Sequence, residues 1–226
     1  MNTGQISAWQ VIIAGGPILI PIFLCSVLAV AVVLERLIYF SSLTVDVRKL
    51  KEGIYTYVRS NNLKEAVILC DTHPSPVAKI LKAGLLKFGA NREDIKESIE
   101  EISLIEIPKL EKRLGILATI AHVSVLLGFL GTATGIAVSF YAIQTRVQSL
   151  NAVTAADLAS GVWQALITTI AGLIVAIPTF ACYNYFVDRV NAIIAQMERN
   201  ATELTNFLAQ MAEIQTARKG SYKGEI

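Results

Sequence analysis

Three long stretches of this 226-residue chain contain no Asp, Glu, Lys or Arg: residues 1–34, 114–145 and 158–187. A helix needs about 20 mostly apolar residues to cross the hydrocarbon core of a bilayer, and each stretch is longer than that. Hydrophobic residues make up 54% of the chain, and charged residues only 17%, against about 25% in soluble domains. These stretches predict a membrane protein with three transmembrane helices, at about 12–34, 118–145 and 160–187.

The basic residues predict the orientation of these helices. Residues 35–113 hold fourteen of the 20 Lys and Arg side chains, and the tail after Val187 holds five. The connection between the second and third spans holds only Arg146. Because Lys and Arg concentrate on the cytoplasmic side of a membrane, we expect the large segment and the tail in the cytoplasm and the N-terminus outside. With a net charge of only +2, nucleic acid is not an expected partner.

The predicted fold is therefore an all-α membrane protein whose second and third transmembrane helices extend as long helices into the cytoplasm. Amphipathic patterns predict shorter helices at 46–59, 62–70 and 77–88. Another begins after Asn91 and is expected to continue past Pro108 into the second span without a break. The expected divisions are the outer N-terminus and first span (1–36), a cytoplasmic helical segment (37–113), the second and third spans with their short outer connection (114–187), and a cytoplasmic helix with a frayed tail (188–226).

Small and hydroxyl-bearing residues recur at helical spacing inside the second and third spans. Residues four and seven positions apart share one face of a helix. One face of the second span holds Gly128, Thr132, Gly135 and Ser139, and one face of the third holds Ala165, Thr169, Gly172 and Ala176. Thr168 lies on a neighbouring face with Gln164. Such stripes either let helices approach closely, as the spacing of Gly131 and Gly135 also suggests, or line a path for a polar species.

The spans contain no acidic or basic side chain apart from His122. An ion that crosses here would therefore need a titrating group from another subunit. The chain has no spacing typical of a nucleophile and its base, of a cysteine-based zinc cluster or of a phosphate-binding loop. We expect no enzyme activity, no cofactor and no metal.

Two blocks of sequence carry a resemblance to a known family. LLGFLGTATGIAVSF (126–140) and SGVWQALITTIAGLIVAIPTFACYN (160–184) together resemble the signature of the MotA/TolQ/ExbB proton-channel family. They are most similar to its three-span ExbB/TolQ branch, and the Glu35–Arg36 pair after the first span fits that branch too.

The resemblance implies an ion-driven motor or stator subunit of the bacterial inner membrane, with its N-terminus in the periplasm and its C-terminus in the cytoplasm. Members of the family form a ring, typically a pentamer, around an ExbD/TolR-like single-span partner with an essential intramembrane aspartate. The ring converts ion-motive force, expected here to be carried by protons, into work passed outward, for example through a TonB/TolA-like protein. A membrane scaffold that assembles helices without conducting ions is the alternative.

The resemblance also suggests roles for individual residues. Thr132 and Thr169 match the pore-facing threonines of the family, and Pro178 matches a proline that kinks the third helix. Gln164 stands where members commonly carry a glutamate, so the choice between proton and sodium is left open. We predict an ion pathway lined by Thr132, Thr168, Thr169 and Gln164, with helix packing at Gly128, Gly131, Gly135 and Gly172.

Overall fold

The computed structural model of the chain describes residues 15–43, 47–73, 75–149, 152 and 154–223, and these residues form helices without any strand. The helices are α1 (Leu19–Ser42), α2 (Val47–Arg59), α3 (Leu63–Asp71), α4 (Pro76–Leu86), α5 (Arg92–Glu111), α6 (Leu114–Gln148) and α7 (Ala155–Lys223).

Three of the helical segments are long and apolar enough to cross a membrane, which confirms the predicted fold class. They include α1, α6 and α7. The first of them begins later than position 12, because Gly16 has a positive φ of 71°, a conformation that no α-helix contains. Pro17 follows, and α1 starts at Leu19. Positions 12–14 of the predicted span lie outside the described residues.

The junction before α6 differs in detail from the uninterrupted helix expected after Pro108. Lys112 is extended, and Arg113 has a positive φ of 67° where α6 begins. Such a conformation is uncommon for a residue other than glycine. The guanidinium of Arg113 forms an ion pair with the carboxylate of Glu35 in α1. The break therefore coincides with a contact between α1 and the start of α6 that helical periodicity does not reveal.

The third membrane-spanning helix belongs to α7, a continuous helix of 69 residues that contains Pro178. Proline lacks the backbone N–H that would otherwise bond to the carbonyl oxygen of Ile174. The next residue makes a hydrogen bond of its own to the helix, since the Thr179 hydroxyl donates to the carbonyl oxygen of Val175 over 2.6 Å. The frayed tail is predicted over residues 214–226. The helix instead continues to Lys223, and residues 224–226 lie outside the described part.

The chain divides into two compact units. Unit 1 combines Met1–Arg36 with Arg113–Phe186, and unit 2 combines Leu37–Lys112 with Val187–Ile226. Among the described helices, unit 1 therefore contains most of α1, all of α6 and the first part of α7. Unit 2 contains the end of α1, all of α2 to α5 and the remainder of α7.

The core of unit 2 forms where one apolar face of each helix is buried. Its buried side chains include Leu50, Ile54, Val58, Ile95, Ile99, Leu204 and Leu208. The ends of α4 are also defined by local chemistry. The Ser75 hydroxyl accepts a hydrogen bond from the backbone N–H of Ala78 at the start of the helix, over 3.1 Å. After the helix Gly89 has a φ of 89°, a conformation that glycine commonly adopts where a helix stops.

One carboxylate is buried within unit 2. Glu106 is 6% exposed and accepts hydrogen bonds from Lys79, over 2.8 Å, and from Lys109, over 2.6 Å. Burial by itself raises the pKa of the Glu106 carboxyl, but the hydrogen bonds and positive charges of the two lysines outweigh it. The pKa is therefore lowered from its ordinary value of 4.5, and the ionised form is stabilised by folding.

Replacing Glu106 with Gln is expected to lower the free energy of unfolding by about 1–3 kcal/mol at neutral pH. Because folding lowers the pKa, the contribution of Glu106 is present above its ordinary value of 4.5 and is lost as the pH falls through the lower folded value. Thermal unfolding followed by circular dichroism should therefore differ between wild type and variant at neutral pH and converge in acid. The control is Glu100→Gln, which removes an exposed pair with Lys96 and should cost less than about 0.5 kcal/mol. Equal losses in the two variants would contradict the role of Glu106.

Candidate functional site

Within unit 1, α6 and α7 meet along a seam of small residues. A Cβ atom added at Gly135 would lie 2.6 Å from the carbonyl oxygen of Gly161, and one added at Gly172 would lie 2.6 Å from that of Ser124. Both distances are too short for any side chain, so the two backbones are in direct contact at these positions. In lipid, close backbone approach supplies the van der Waals energy that holds helices together. Residues nearer the end of α6 contact residues nearer the start of α7, so the two helices run antiparallel.

The predicted pore-facing threonines lie together across this seam. The hydroxyl oxygens of Thr132 and Thr169 are 2.5 Å apart, and both residues are half-buried. The Thr132 hydroxyl also lies 3.3 Å from the carbonyl oxygen of Gly128. The Thr169 hydroxyl lies 3.2 Å from the same oxygen and 3.1 Å from the carbonyl oxygen of Ala165. Two hydroxyl groups from different helices therefore share one small set of backbone acceptors.

This arrangement determines what the hydroxyl pair can do chemically. The two hydroxyls have two protons between them, so one can donate to the other while the second donates to a carbonyl oxygen. The carbonyls of Gly128 and Ala165 lie inside helices, where they also accept from backbone N–H groups. The hydroxyls can therefore turn toward a carboxylate or a water without leaving these carbonyls unsatisfied. They cannot store a proton near neutral pH, because a hydroxyl does not titrate there.

Thr168 has different surroundings from its neighbour Thr169. It has no exposed surface, and its hydroxyl donates within α7, lying 3.1 Å from the carbonyl oxygen of Gln164 and 2.9 Å from that of Ala165. A Cβ atom at Gly131 would lie 2.2 Å from the Thr168 hydroxyl oxygen. Thr168 thus fills the space that Gly131 leaves in α6, and this geometry favours packing over lining a path.

Gln164 lies beside the residues that precede α1. A Cβ atom at Gly16 would lie 2.3 Å from the side-chain nitrogen of Gln164, so the amide packs against the glycine backbone. Five residues separate Gln164 from Thr169, which corresponds to about 140° around the helix. The structure therefore brings Thr132 and Thr169 together and separates Gln164 from them. Within the single chain, Gln164 contacts the start of α1.

Ser124 is a seam residue that the sequence analysis missed. Its side chain has no exposed surface, and its hydroxyl oxygen has no hydrogen-bond partner among the described residues. Ser124 precedes Gly128 by four positions, so an extension of the same stripe identifies it. At the other end of the seam, the Ser139 hydroxyl lies 3.2 Å from the carbonyl oxygen of Leu158 and donates to it across the two helices.

No group of three or more His, Cys, Asp or Glu side chains that could hold a metal ion occurs in the part of the chain that the structure describes. The polar groups that the described seam offers are hydroxyls and backbone carbonyls. Such groups suit a carboxylate, a water or a weakly held ion rather than a tightly bound transition metal.

Comparison with known proteins identifies the family to which this sequence is similar. Residues 72–199 match the MotA/TolQ/ExbB proton channel family. The chain is 32% identical to the biopolymer transport protein named ExbB-like 3 of Synechocystis sp., over 76% of this chain and 81% of the relative. It is 33% identical to the biopolymer transport protein ExbB of Aquifex aeolicus, over 52% of this chain and 76% of the relative.

The Tol-Pal system protein TolQ of Haemophilus influenzae is also similar. It is 39% identical over 47% of this chain and 45% of its own length. The chain therefore spans less than half of that relative, although it spans most of the other two.

Replacing Gly172 with Ala is expected to push α6 and α7 apart, because the added methyl group meets the backbone of Ser124 and Gly128. Overpacking of this kind costs about 1–3 kcal/mol, which should appear as a lower midpoint of thermal unfolding in detergent micelles. Gly115→Ala is the matched control, since a Cβ atom there meets nothing within 4 Å and alanine favours the helix. If both variants melt at the same temperature, the seam is not held by glycine contacts.

Proposed function

The chain belongs to the MotA/TolQ/ExbB proton channel family, and we propose that it is the channel-forming subunit of an ion-driven motor. The observation that carries this proposal is the contact between the hydroxyls of Thr132 and Thr169, 2.5 Å apart at a half-buried edge of the α6–α7 seam. Hydroxyls in this position can solvate an ion or hydrogen-bond to a carboxylate in an otherwise apolar span.

The acid that carries the proton comes from a partner. Residues 114–145 and 158–187 contain no Asp or Glu, and threonine cannot titrate near neutral pH. A single-span ExbD/TolR-like protein with an intramembrane aspartate would supply that group. In its ionised form the aspartate accepts hydrogen bonds from Thr132 and Thr169, and in its protonated form it donates one to them. The threonine pair thereby stabilises both protonation states that a proton carrier must alternate between.

A ring of identical chains surrounds this partner in the proposed assembly, with five copies as the expected number. The proposed location is the bacterial inner membrane. The excess of Lys and Arg in residues 35–113 supports a cytoplasmic position for that segment and for the C-terminus, with the N-terminus in the periplasm.

The work produced is passed to the periplasm or the outer membrane. The similar proteins carry the names of biopolymer transport and of the Tol-Pal system, which supports TonB-dependent import or envelope maintenance through a TonB/TolA-like protein. A related surface motor, which would also use an ion-driven ring in the inner membrane, is a further process that the chain could serve. Protons are the proposed coupling ion.

A scaffold that assembles helices without conducting ions is the second candidate. The hydrogen bonds that both threonines already make to backbone carbonyls favour this candidate, because they give the hydroxyls a structural role without any ion or partner. The two candidates differ in what a change of hydroxyl to methyl does to ion flux.

Thr169→Val removes the hydroxyl but retains the shape of the side chain. We expect the variant to assemble with its single-span neighbour and to lose ion flux by about 100-fold, the effect of removing one donor from a preorganised polar site. Flux is measured in proteoliposomes that contain the co-purified complex. Thr132→Val should behave similarly.

The matched control is Thr134→Val, because the Thr134 hydroxyl donates only to carbonyls of its own helix and lies on another face of α6. Its flux should equal that of the wild type. Full flux from Thr169→Val would support the scaffold instead.

Gln164→Glu tests whether the position commonly occupied by glutamate in the family takes part in ion selection. Gln164 packs against Gly16 and lies about 140° around α7 from Thr169, so we expect the proton-to-sodium preference to remain that of the wild type. Flux is compared under proton and sodium gradients. A change in preference would mean that Gln164 belongs to the ion pathway.

A further inference from the structure

A recess lies between α6 and α7 in unit 1, beyond the seam. It has a volume of about 420 Å³, and its lining includes His122, Val125, Leu126, Leu173, Ile177 and Phe180. Apart from His122, the residues that line it are apolar. The imidazole is therefore the single ionisable group in its lining.

Helical spacing relates this recess to the threonine pair. On α6, Val125 precedes Thr132 by seven positions, which corresponds to nearly the same direction around the helix. On α7, Phe180 follows Thr169 by eleven positions, again in nearly the same direction. The recess therefore lies on the threonine side of the seam. It is displaced along the helices toward the start of α6, and His122 precedes Thr132 by ten residues, which is about 15 Å at 1.5 Å per residue.

The imidazole of His122 is exposed and oriented by its neighbours. Its Nδ1 atom lies 2.7 Å from the carbonyl oxygen of Ala118, and because a carbonyl can only accept, the ring's proton is on Nδ1. Nε2 is then the basic nitrogen of the neutral ring. The Phe180 ring lies nearly perpendicular to the imidazole, with centroids 6.3 Å apart, which fixes the ring plane.

Few other charged or titratable groups can influence this histidine. α6 and α7 contribute no Asp, Glu, Lys or Arg within residues 114–145 and 158–187. Beyond Phe180, α7 carries the Cys182 thiol and the Tyr183 phenol, and the centroid of the Tyr183 ring lies 6.3 Å from that of Phe180.

We propose that His122 is a second proton-carrying station of the ion path, on the side of the threonine pair nearer the start of α6. The proposal rests on the proposed channel function and deepens it. A proton-transferring group is needed there because the partner's acid is held at the threonines. From that position it is too far from the start of α6 to pass its proton there directly. Imidazole suits the task, since it ordinarily gains and loses its proton between about pH 5 and 8.

The proton step can be written in full. Water in the recess, protonated by the acid at the threonines, loses a proton to Nε2, so that an O–H bond breaks and an N–H bond forms. The ring is then an imidazolium that retains its Nδ1–H bond to Ala118. Nε2 next gives its proton to a second water nearer the start of α6, which restores the neutral ring. Charge and atoms balance without any further reactant.

The decisive variant is His122→Gln, tested in the complete complex with the single-span partner in proteoliposomes. Proton flux is measured at a series of pH values. We expect flux to fall by about 100-fold, at the lower end of what a positioned proton-transferring group contributes. The dependence of flux on pH should also differ from that of the wild type. His73→Gln is the matched control, because the chain has only two histidines and His73 lies in unit 2.

A measurement on the wild-type complex covers the case in which the variant fails to assemble. With isotope-labelled histidine in lipid nanodiscs, each chain gives two imidazole signals, and His73→Gln identifies the one from His73. The remaining signal should change from the neutral to the protonated form across the pH series in which flux is measured. A ring that keeps one protonation state across that series would overturn the proposal.

The outcomes separate this proposal from the channel function itself. The channel function is supported if the wild type conducts and Thr169→Val does not. If His122→Gln then matches His73→Gln in flux and pH profile, His122 has no role in the ion path. Flux that His122→Gln lowers by the same factor at every pH would mean that His122 only positions α6 and α7, which also overturns the proposal. Absence of flux from the wild-type complex would overturn both.

Discussion

The contact of backbone against backbone between α6 and α7 is the interaction on which unit 1 depends. Gly135 meets Gly161, and Gly172 meets Ser124, at distances that admit no side chain. In water, such a contact would bury little apolar surface, but in lipid apolar burial gives helices no reason to associate. Small residues instead permit the many short contacts that dispersion requires. The same closeness brings hydroxyls on α6 within reach of carbonyls and hydroxyls on α7.

The seam also gives α7 two sides with different chemistry. On one side, Thr169 meets Thr132 at a half-buried edge. On the other, Thr168 fills the gap at Gly131, and Gln164 packs against the backbone of Gly16 before α1. Adjacent threonines in the sequence therefore have different surroundings. Thr168 is enclosed between the two helices, while Thr169 lies at the half-buried edge of the seam.

The sequence predicts the membrane spans and the polar stripes because a membrane permits few structures for an apolar segment. A stretch without charged side chains that is longer than a bilayer is thick has few alternatives to a spanning helix, so the three spans follow from charge alone. The stripe through Gly128, Thr132 and Gly135 follows from helical periodicity. Periodicity nevertheless describes one helix at a time and does not tell which neighbour a face meets.

The features that sequence reasoning missed all depend on contacts between helices. Arg113 adopts its positive φ where it pairs with Glu35, which is 78 residues away in the chain. Gln164 contacts Gly16, which is also distant in the chain, whereas Ser124 lies against Gly172 on an extension of the Gly128 stripe. The stripe positions and the separation of Gln164 from Thr169 around α7 were predictable, but the contact of Gln164 with Gly16 was not.

The hydrogen bonds of the threonine pair explain how one site can be stable without a ligand and still bind one. A polar side chain in lipid must have a partner, and a site whose hydroxyls had none would be costly to keep empty. Thr132 and Thr169 satisfy this requirement with each other and with carbonyls that backbone N–H groups already serve. Exchanging those bonds for bonds to a carboxylate leaves no backbone group unsatisfied. In the proposed channel, the pair can therefore exchange its own hydrogen bonds for bonds to the partner's acid and form them again when the acid leaves.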